Sequence, residues 1–210
     1  MLLLLTIVGL TILSRPAHCT EIESIADLHG GLVVQLGVAE VESLTKLSRT
    51  GRYLIHVLET DAEKAQFGQT YLRDNGHYGM ASVEHVKSLD RLPYAENLVN
   101  LLVVHNGTCG AEELFRVITP NGRLVVTQRE LVDQAKLKEA GFVAIDETKG
   151  IISAQKPWPQ QMDTWSHPRH AANGNAVSCD TLVGPPERIR WIAAATSEVE
   201  GLVTAGGRNF

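Results

Sequence analysis

The chain has 210 residues, of which 44% are hydrophobic and 20% are charged, and this is an ordinary globular composition. The length predicts one domain with a full hydrophobic core plus an additional segment. The net charge of −5, together with the lack of any Lys/Arg cluster, argues against a nucleic-acid partner.

The first 19 residues, MLLLLTIVGLTILSRPAHC, carry the pattern of an export signal. Their apolar run ends before Ser14, so it is shorter than the about 20 residues that span a membrane. Ala17 and Cys19 are small residues that lie three and one positions before a cleavage site after residue 19. We therefore expect a protein exported to the periplasm or cell envelope, with no membrane span once the signal is removed. An uncleaved anchor and a buried strand are the alternatives.

Two cysteines, Cys109 and Cys179, remain after the signal. An oxidising compartment would let them pair, but nothing in their spacing places them together. We expect two unpaired, half-buried thiols rather than a disulfide.

Strand and helix signals alternate between residues 28 and 156. Strands are predicted at GLVVQL (31–36), RYLIHVLE (52–59), MASVEHV (80–86), NLVNLLVVH (97–105) and RLVVTQ (123–128), the last after a turn at TPNG. Helices are predicted at EVESLTKLS (40–48), AEKAQFGQTYLRDNG (62–76), AEELFRVI (111–118) and ELVDQAKLKEAG (130–141). Asp61 suits the N-cap of the second helix, and Gly76 suits a left-handed position at its end. Alternating strands and helices predict a parallel sheet with right-handed crossovers.

The last two strands of this region follow a different plan. FVAIDE (142–147) and IISAQK (151–156) are separated only by the turn residues TKG. This spacing predicts an antiparallel hairpin rather than another crossover. The predicted fold class is therefore α/β, a Rossmann-like, mostly parallel sheet that ends in an antiparallel hairpin.

The composition changes after residue 156. Residues 157–210 are rich in proline and have no long periodic segment, which indicates a loop-rich linker. GLVTAGGRNF (201–210) has the pattern of a strand, a glycine turn and the start of a second strand, so we expect a chain truncated within β-structure. The domains expected are a signal peptide (1–19), an α/β domain (28–156) and this C-terminal segment (157–210).

Five β-α units closed by an antiparallel hairpin resemble class I S-adenosylmethionine-dependent methyltransferases over residues 28–156. The strings PWPQQMDTWSH, NGNAVSCDTLVGPPERIRW and LVTAGGRNF resemble a junction found in large exported bacterial proteins. Those proteins join a methyltransferase-like domain to a β-propeller of the pyrroloquinoline-quinone (PQQ) type, and the similarity extends back through LPYAENLVNLLVV. The resemblance implies that residues 157–210 are a linker and the incomplete first blade of a propeller.

The same resemblance implies the partners of the domain, which are its own propeller or other envelope proteins. It implies PQQ as a cofactor only where a complete propeller follows. A quinone site in such a propeller draws on many blades around a central channel, and this chain supplies at most part of one blade.

The resemblance also implies that S-adenosylmethionine would bind at Gly37, Ala39, Glu59 and Asp90. Gly37 matches the first glycine of the loop after strand one, whereas Ala39 and Val41 replace the second and third. A β-branched valine resists positive φ and crowds a position of close backbone approach. The side chains at 39 and 41 therefore predict an inherited scaffold that has lost its ligand.

Four further positions each leave two interpretations open. Glu59 either accepts hydrogen bonds from both ribose hydroxyls, to which an acceptor-only carboxylate is suited, or begins the next helix together with Asp61. Asp90 either contacts the adenine amino group or is a solvated loop aspartate. His105 either acts as a base near neutral pH or packs as a bystander. Gln35 occupies the place of an acidic residue that often binds the amino-acid end of the cofactor.

His167 and His170 have a spacing that suggests a metal site. Zinc needs three or four ligands, and no partnering Cys or carboxylate motif accompanies these histidines. We therefore predict no metal ligands, and no residue is assigned a catalytic role.

Three functions compete. The domain is a degenerate methyltransferase-like module with a structural or ligand-binding role in an exported propeller protein, or an active methyltransferase, or the N-terminal part of a quinone-dependent oxidoreductase or envelope scaffold. The replaced glycines and the export signal favour the first.

Overall fold

The computed structural model describes residues 29–38, 47–182, 203–205 and 208–209. The predictions for the signal peptide, for Ala39 and Val41 and for most of the first helix lie outside these residues. Contacts divide the chain into two compact units, Met1–Pro157 and Trp158–Phe210. None of the helices in the described ranges is long and apolar enough to cross a membrane.

The first unit is built on one seven-stranded sheet. Its strands are β1 (Gly31–Leu36), β2 (Tyr53–Glu59), β3 (Ala81–His85), β4 (Val99–Val104), β5 (Ile118–Val126), β6 (Val143–Thr148) and β7 (Ile151–Gln155). Its α-helices, within the described residues, are α1 (Ala62–Asp74), α2 (Ala111–Val117) and α3 (Gln134–Ala140). The strand order is β3-β2-β1-β4-β5-β7-β6, with β1 to β5 parallel and β7 antiparallel to both neighbours. The predicted α/β sheet with a terminal antiparallel hairpin is confirmed.

Buried apolar side chains on both faces stabilise this sheet. Successive side chains of a strand point to opposite faces, so Val34 and Leu36 of β1 pack in one cluster and Val33 in the other. Helices α2 and α3 contribute to the first cluster and α1 to the second. Each fully buried Leu or Val is worth roughly 1.5–3 kcal/mol relative to an exposed one. Burial on two faces explains the continuous apolar runs that predicted parallel strands.

The predicted cap and hairpin turn are both present. Asp61 Oδ1 accepts hydrogen bonds from the backbone N–H groups of Glu63 (2.9 Å) and Lys64 (3.2 Å) at the start of α1. Between β6 and β7, Lys149 and Gly150 have φ values of 53° and 81°. Positive φ at both central residues gives a type I′ turn, whose twist matches that of the flanking strands.

The predicted start of the fifth strand is wrong. β5 begins at Ile118 rather than at residue 123, because Ile118 already pairs with Val99 of β4. The register shifts before the next pair, between Leu101 and Arg123, and Asn121 has a φ of 62°. The predicted TPNG turn is therefore an irregularity within the strand pair, of the kind that absorbs extra residues in a ladder.

The last predicted helix starts later than expected. A 3-10 turn, Arg129–Leu131, occupies its first residues, and α3 begins after Asp133. Asp133 Oδ1 accepts a hydrogen bond from the backbone N–H of Ala135 (2.9 Å). A strong N-cap inside the predicted segment thus sets the helix start.

An ion pair between buried Glu113 and partly exposed Arg116 fixes residues 86–98, which connect β3 to β4 without a helix. Arg116 of α2 donates two hydrogen bonds to Glu113, from Nε to Oε2 (2.7 Å) and from Nη2 to Oε1 (2.6 Å). Glu113 Oε1 also accepts from the N–H of Leu92 (2.7 Å), and Arg116 Nη1 donates to the carbonyl of Tyr94 (2.9 Å). The hydrogen bonds from Arg116 lower the pKa of the Glu113 carboxyl. This ion pair, rather than regular secondary structure, determines the path of the connection.

The same connection is held to the sheet through Tyr94. Its hydroxyl lies 2.8 Å from His56 Nδ1, and His56 Nε2 lies 3.3 Å from Glu84 Oε2 on β3. Burial lowers the pKa of His56, in opposition to the neighbouring Glu84 carboxylate. A neutral His56 therefore accepts from Tyr94 and donates to Glu84.

Lys156 fastens the end of the sheet to the same region. Its Nζ donates to Asn97 Oδ1 and to the carbonyl of Phe115, both at 2.7 Å, and lies 4.4 Å from the centre of the Phe115 ring. Burial lowers the pKa of Lys156. The residue after β7 is thus bound to the last turn of α2 and to the residues that precede β4.

Asp163 organises the described residues 158–182 of the second unit, which contain no helix or extended strand. Its carboxylate accepts from Ser178 Oγ (3.0 Å) and from the backbone N–H of Cys179, and it pairs with His170 Nε2 (2.8 Å). A loop-rich segment of this kind was predicted from the prolines.

The end of the chain holds a short antiparallel pair, β8 (Thr204–Ala205) and β9 (Arg208–Asn209). These strands lie on either side of the predicted glycine turn. Their assignment to a propeller blade stays a prediction.

We expect Glu113→Ala to lower the free energy of unfolding by about 1–3 kcal/mol, because it leaves the N–H of Leu92 and the partly exposed Arg116 guanidinium without their carboxylate acceptor. Glu112→Ala is the matched control, since Glu112 is exposed on the same helical turn and its loss removes at most about 1 kcal/mol of helix-dipole energy. Urea unfolding of both variants measures the difference. Equal losses would contradict the role of the ion pair.

We expect His56 to titrate below its ordinary pKa of about 6.5, because burial disfavours the imidazolium. The unfolded chain then binds more protons, so stability present above pH about 6.5 is lost as the pH falls towards the folded pKa. Histidine ring signals in an NMR titration, assigned with His56→Gln, measure this. A titration midpoint at or above the ordinary value would disprove it.

Candidate functional site

The strand order reverses between β1 and β4, which lie side by side in the middle of the sheet. The chain continues from β1 to β2 on one side of the sheet and from β4 to β5 on the other side. The loops that leave the carboxyl ends of β1 and β4 therefore diverge. Open α/β sheets bind ligands in the crevice at this point. Residues 37–38 and 105–106 are therefore where the described chain would contact a cofactor.

Gly37 is held against the loop that follows β4. Its φ is 88°, and a Cβ added to it would lie 2.6 Å from the Cβ of Asn106. The N–H groups of His105 and Asn106 both donate to the carbonyl of Leu36, at 3.0 and 3.1 Å. Glycine is required here by its positive φ and by this contact. The protein's own packing thus accounts for Gly37 without a ligand.

The Glu59 carboxylate at the end of β2 is bound by backbone amides. Its Oε2 accepts from the N–H of Val38 (2.7 Å), and its Oε1 accepts from the N–H groups of Thr60 (2.8 Å) and Asp61 (3.0 Å). The residue is 2% exposed. The bonds to Thr60 and Asp61 are those of a residue that begins the next helix, and the bond to Val38 also ties the turn after β1 to β2.

Gln35, the neighbour of this turn on β1, carries an unmatched acceptor. It is 2% exposed, and its Oε1 has no hydrogen-bond partner in the described part of the chain. A buried acceptor without a donor costs about 1–3 kcal/mol. An ammonium group, such as that of an amino acid, would satisfy this atom.

These atoms allow a test of whether the site fits S-adenosylmethionine. Gln35 offers one acceptor suited to the amino-acid end of that molecule. Glu59 fits a ribose diol poorly, since its side chain is buried and three amides use three of the about four acceptor positions of its carboxylate. Gln35 therefore fits the amino-acid end of S-adenosylmethionine through one atom, whereas Glu59 fits its nucleoside poorly.

Asp90 lines a pocket of about 290 Å³. The pocket is partly open to solvent, and the loops that follow β3, β4 and β5 line it together with Lys136 of α3. Asp90 is exposed, and its Oδ2 accepts from Ser88 Oγ (2.6 Å). Cys109 lines the same pocket, where burial and the nearby carboxylates of Glu113 and Asp90 raise its thiol pKa to about 12. This thiol is therefore neutral and is not an activated nucleophile.

Both cysteines are free, as predicted. Cys109 is half-buried, but Cys179 is exposed, so the prediction of burial is wrong for the second thiol. Cys179 lies in the loop around Asp163, where its backbone N–H rather than its side chain makes the contact.

The histidines singled out from the sequence take part in hydrogen bonds at loops. His105 donates its N–H to Leu36 and accepts from Gln128 Nε2 at its carbonyl (3.0 Å). His170 pairs with Asp163, and His167 Nδ1 lies 2.9 Å from the adjacent Ser166 Oγ. No group of three or more His, Cys, Asp or Glu side chains suited to a metal ion occurs in the part of the chain that is described.

Two residues at the site were not found by sequence reasoning. Val38 acts through its backbone N–H, which no side-chain motif reveals. Asn106 belongs to the string HNGTC, in which His105 rather than Asn106 is the candidate side chain from sequence. The Asn-Gly pair that directly follows a central strand is the signal that would have indicated a tight contact at this edge.

Neither a family model nor a curated protein matches the chain. Solved structures do resemble it, among them the cyclase SpnF, with a TM-score of 0.55, 14% identity and coverage of 67% of this chain and 81% of that one. A Methanococcus maripaludis protein assigned as an S-adenosylmethionine-dependent methyltransferase gives 0.53, 13%, 68% and 84% for the same quantities. Geranyl diphosphate C-methyltransferase of Streptomyces coelicolor gives 0.53, 13%, 67% and 78%. At these identities the likeness shows the fold alone, which is the Rossmann-like class I methyltransferase fold.

We expect Glu59→Gln to lower the free energy of unfolding by about 1–3 kcal/mol, because an amide cannot accept on both sides and leaves backbone N–H donors unsatisfied. Glu63→Gln, an exposed change on the first turn of α1, should stay within about 0.5 kcal/mol of the unmodified chain. Chemical unfolding measures both. Glu59→Gln with unchanged stability would mean that the carboxylate is not committed to the backbone.

Proposed function

We propose that residues 28–156 form a methyltransferase-fold module that does not transfer methyl groups and that serves as a structural or ligand-binding part of an exported protein. The observation that carries this proposal is the burial of the Glu59 carboxylate among three backbone amides.

A ribose diol is held by a carboxylate that keeps free, accessible lone pairs. Three N–H groups use three of the about four acceptor positions of the Glu59 carboxylate, so accepting both hydroxyls would release one of these donors, which would then need another partner. Hydrogen bonds to an ionised carboxylate are the stronger kind, and an unmatched buried group is costly. Binding a nucleoside here would therefore start with a loss of internal hydrogen bonds.

Loss of transfer chemistry is compatible with this architecture. Folds of this kind host many unrelated functions, because function resides in a small set of site residues. SpnF, one of the structures that resemble this chain, is described as a cyclase and not as a transferase. By analogy, the sheet of this chain would persist for a role other than methyl transfer.

The exported setting is part of the proposal and rests on the apolar run and small residues of positions 1–19. S-adenosylmethionine is expected to be scarce outside the cytoplasm, which favours a module without the cofactor. Its partners would be a PQQ-type propeller of the same protein or other envelope proteins, as the resemblance of residues 157–210 suggests.

An active methyltransferase is the second candidate, and one observation favours it. The resemblance implies that Gln35 takes the place of an acidic residue that often binds the amino-acid end of the cofactor, and its Oε1 is an unmatched acceptor. The pocket beside Asp90 offers further space. This candidate requires the turn around Val38 to open when the cofactor binds.

Isothermal titration of the full chain with S-adenosylmethionine and S-adenosylhomocysteine decides between the two. We expect no saturable heat at ligand concentrations up to about 1 mM, which bounds the binding free energy at about −4 kcal/mol. A micromolar Kd, about −8 kcal/mol, that weakens in Gln35→Leu but not in Glu112→Gln would overturn the proposal. Far-ultraviolet circular dichroism of each variant confirms that the sheet is intact.

A further inference from the structure

We infer that Asn106 is the preferred site in this chain for deamidation through a cyclic imide with Gly107. The sequence contains Asn-Gly at 75–76, 106–107, 121–122 and 173–174. The rate of deamidation at Asn106 can therefore be compared with the rates at three other Asn-Gly pairs of the same chain. Local geometry distinguishes Asn106–Gly107, which follows β4 at the point where the strand order reverses, from the other three pairs.

The reaction needs only the chain and water. The backbone nitrogen of Gly107 loses its proton to solvent and attacks Cγ of Asn106, forming a five-membered ring as ammonia leaves with the side-chain nitrogen. Water then opens the imide at either carbonyl, which gives aspartate or isoaspartate. The sum consumes one water, releases one ammonia and involves no oxidation or reduction. Glycine favours it because no side chain obstructs the attacking nitrogen.

The attacking nitrogen lies close to the amide group that it attacks. The N–H of Gly107 points to Asn106 Oδ1 at 2.7 Å. Oδ1 is bonded to Cγ, so Cγ lies at most one C=O bond, about 1.2 Å, further away. Asn106 is exposed to water, and the amide of Gly107 is bonded to this side chain rather than to a backbone carbonyl.

Two other pairs engage the same nitrogen elsewhere. The N–H of Gly76 donates to the carbonyl of Arg73 (3.1 Å), and the N–H of Gly174 donates to the carbonyl of Ala171 (3.0 Å). The Asn75 side chain is also held, since its Nδ2 donates to the carbonyl of Tyr71 (2.9 Å). Attack at either pair must break a hydrogen bond that ties the glycine nitrogen to a residue outside the pair, whereas the N–H of Gly107 is bonded to the side chain that it attacks.

The third pair lies in the strand junction. Asn121 donates its N–H to the carbonyl of Lys156 (2.9 Å), and the carbonyl of Gly122 accepts from the N–H of Lys156 (3.1 Å). Gly122 is buried, so water reaches it poorly. Rotation of this peptide towards the Asn121 side chain would disrupt the β5–β7 pairing.

The product would change the edge where β1 and β4 meet. Deamidation places a new carboxylate beside Gly37, against which the Cβ of Asn106 packs. Isoaspartate also inserts one methylene into the main chain of residue 106, whose own N–H donates to the carbonyl of Leu36. Conversion at this residue therefore alters the candidate site.

The test uses the full folded chain, incubated in mildly alkaline buffer made with water labelled with oxygen-18, followed by peptide mapping by mass spectrometry. Label enters only at an imide opened during the incubation. We expect the Asn106 peptide to convert roughly five-fold faster than those of Asn75 and Asn173, as the cost of one backbone hydrogen bond implies. In urea the difference should collapse.

Conversion of Asn75, Asn121 or Asn173 at the same rate as Asn106, or faster, in the folded chain would overturn the inference. So would a five-fold preference for Asn106 that persists in urea, because it would then come from local sequence. Asn106→Gln should abolish the labelled product at position 106 and remove most of the ammonia released from the folded chain, since the larger ring that glutamine would form closes poorly. Asn173→Gln is the matched control and should leave both nearly unchanged.

Discussion

Three backbone amides converge on the Glu59 carboxylate where the turn after β1 meets the end of β2. A carboxylate this deeply buried is tolerated only if its charge is met by donors, and here the main chain provides them. The bond from Val38 holds the turn after β1 in place, and Gly37 then meets the loop after β4 at the distance of the Asn106 contact. Together with the N–H of Gly37, which donates to the carbonyl of Leu58 (2.8 Å), this side chain fixes the turn at the point where the strand order reverses.

A second set of polar contacts shapes the face of the sheet covered by α2. The connection between β3 and β4 has no helix, and the Glu113–Arg116 ion pair, the Tyr94 hydroxyl and the Lys156 ammonium hold it instead. Glu113, Arg116 and Lys156 each have more than one partner, and the Tyr94 hydroxyl pairs with His56, which makes burial of such groups tolerable. The apolar core therefore stabilises the sheet, while these contacts fix the path of its least regular connection.

The fold provides a place for a ligand, but a few atoms at that place bear on whether the candidate activity is retained. The sheet offers the crevice in which α/β proteins hold ligands, and Gln35 keeps one unmatched acceptor at its wall. Glu59, the side chain best suited to a nucleoside, is committed to the backbone. Since fold alone does not imply function, the bonds made by Glu59 and Gln35 bear more directly on activity than the likeness to methyltransferases.

The amino-acid sequence by itself determined the elements and their plan. Continuous apolar runs, helical spacing, the Asp61 cap and the Lys149–Gly150 turn are local signals, and the sheet with its terminal hairpin follows from them. Tertiary structure decided the rest. Pairing of Ile118 with Val99 extended β5 through a predicted turn. Glu59 could be assigned to the nearest helix from sequence, but its bond to Val38 joins residues 21 positions apart through a backbone atom. Side-chain patterns do not encode such contacts, because every residue except proline presents the same N–H.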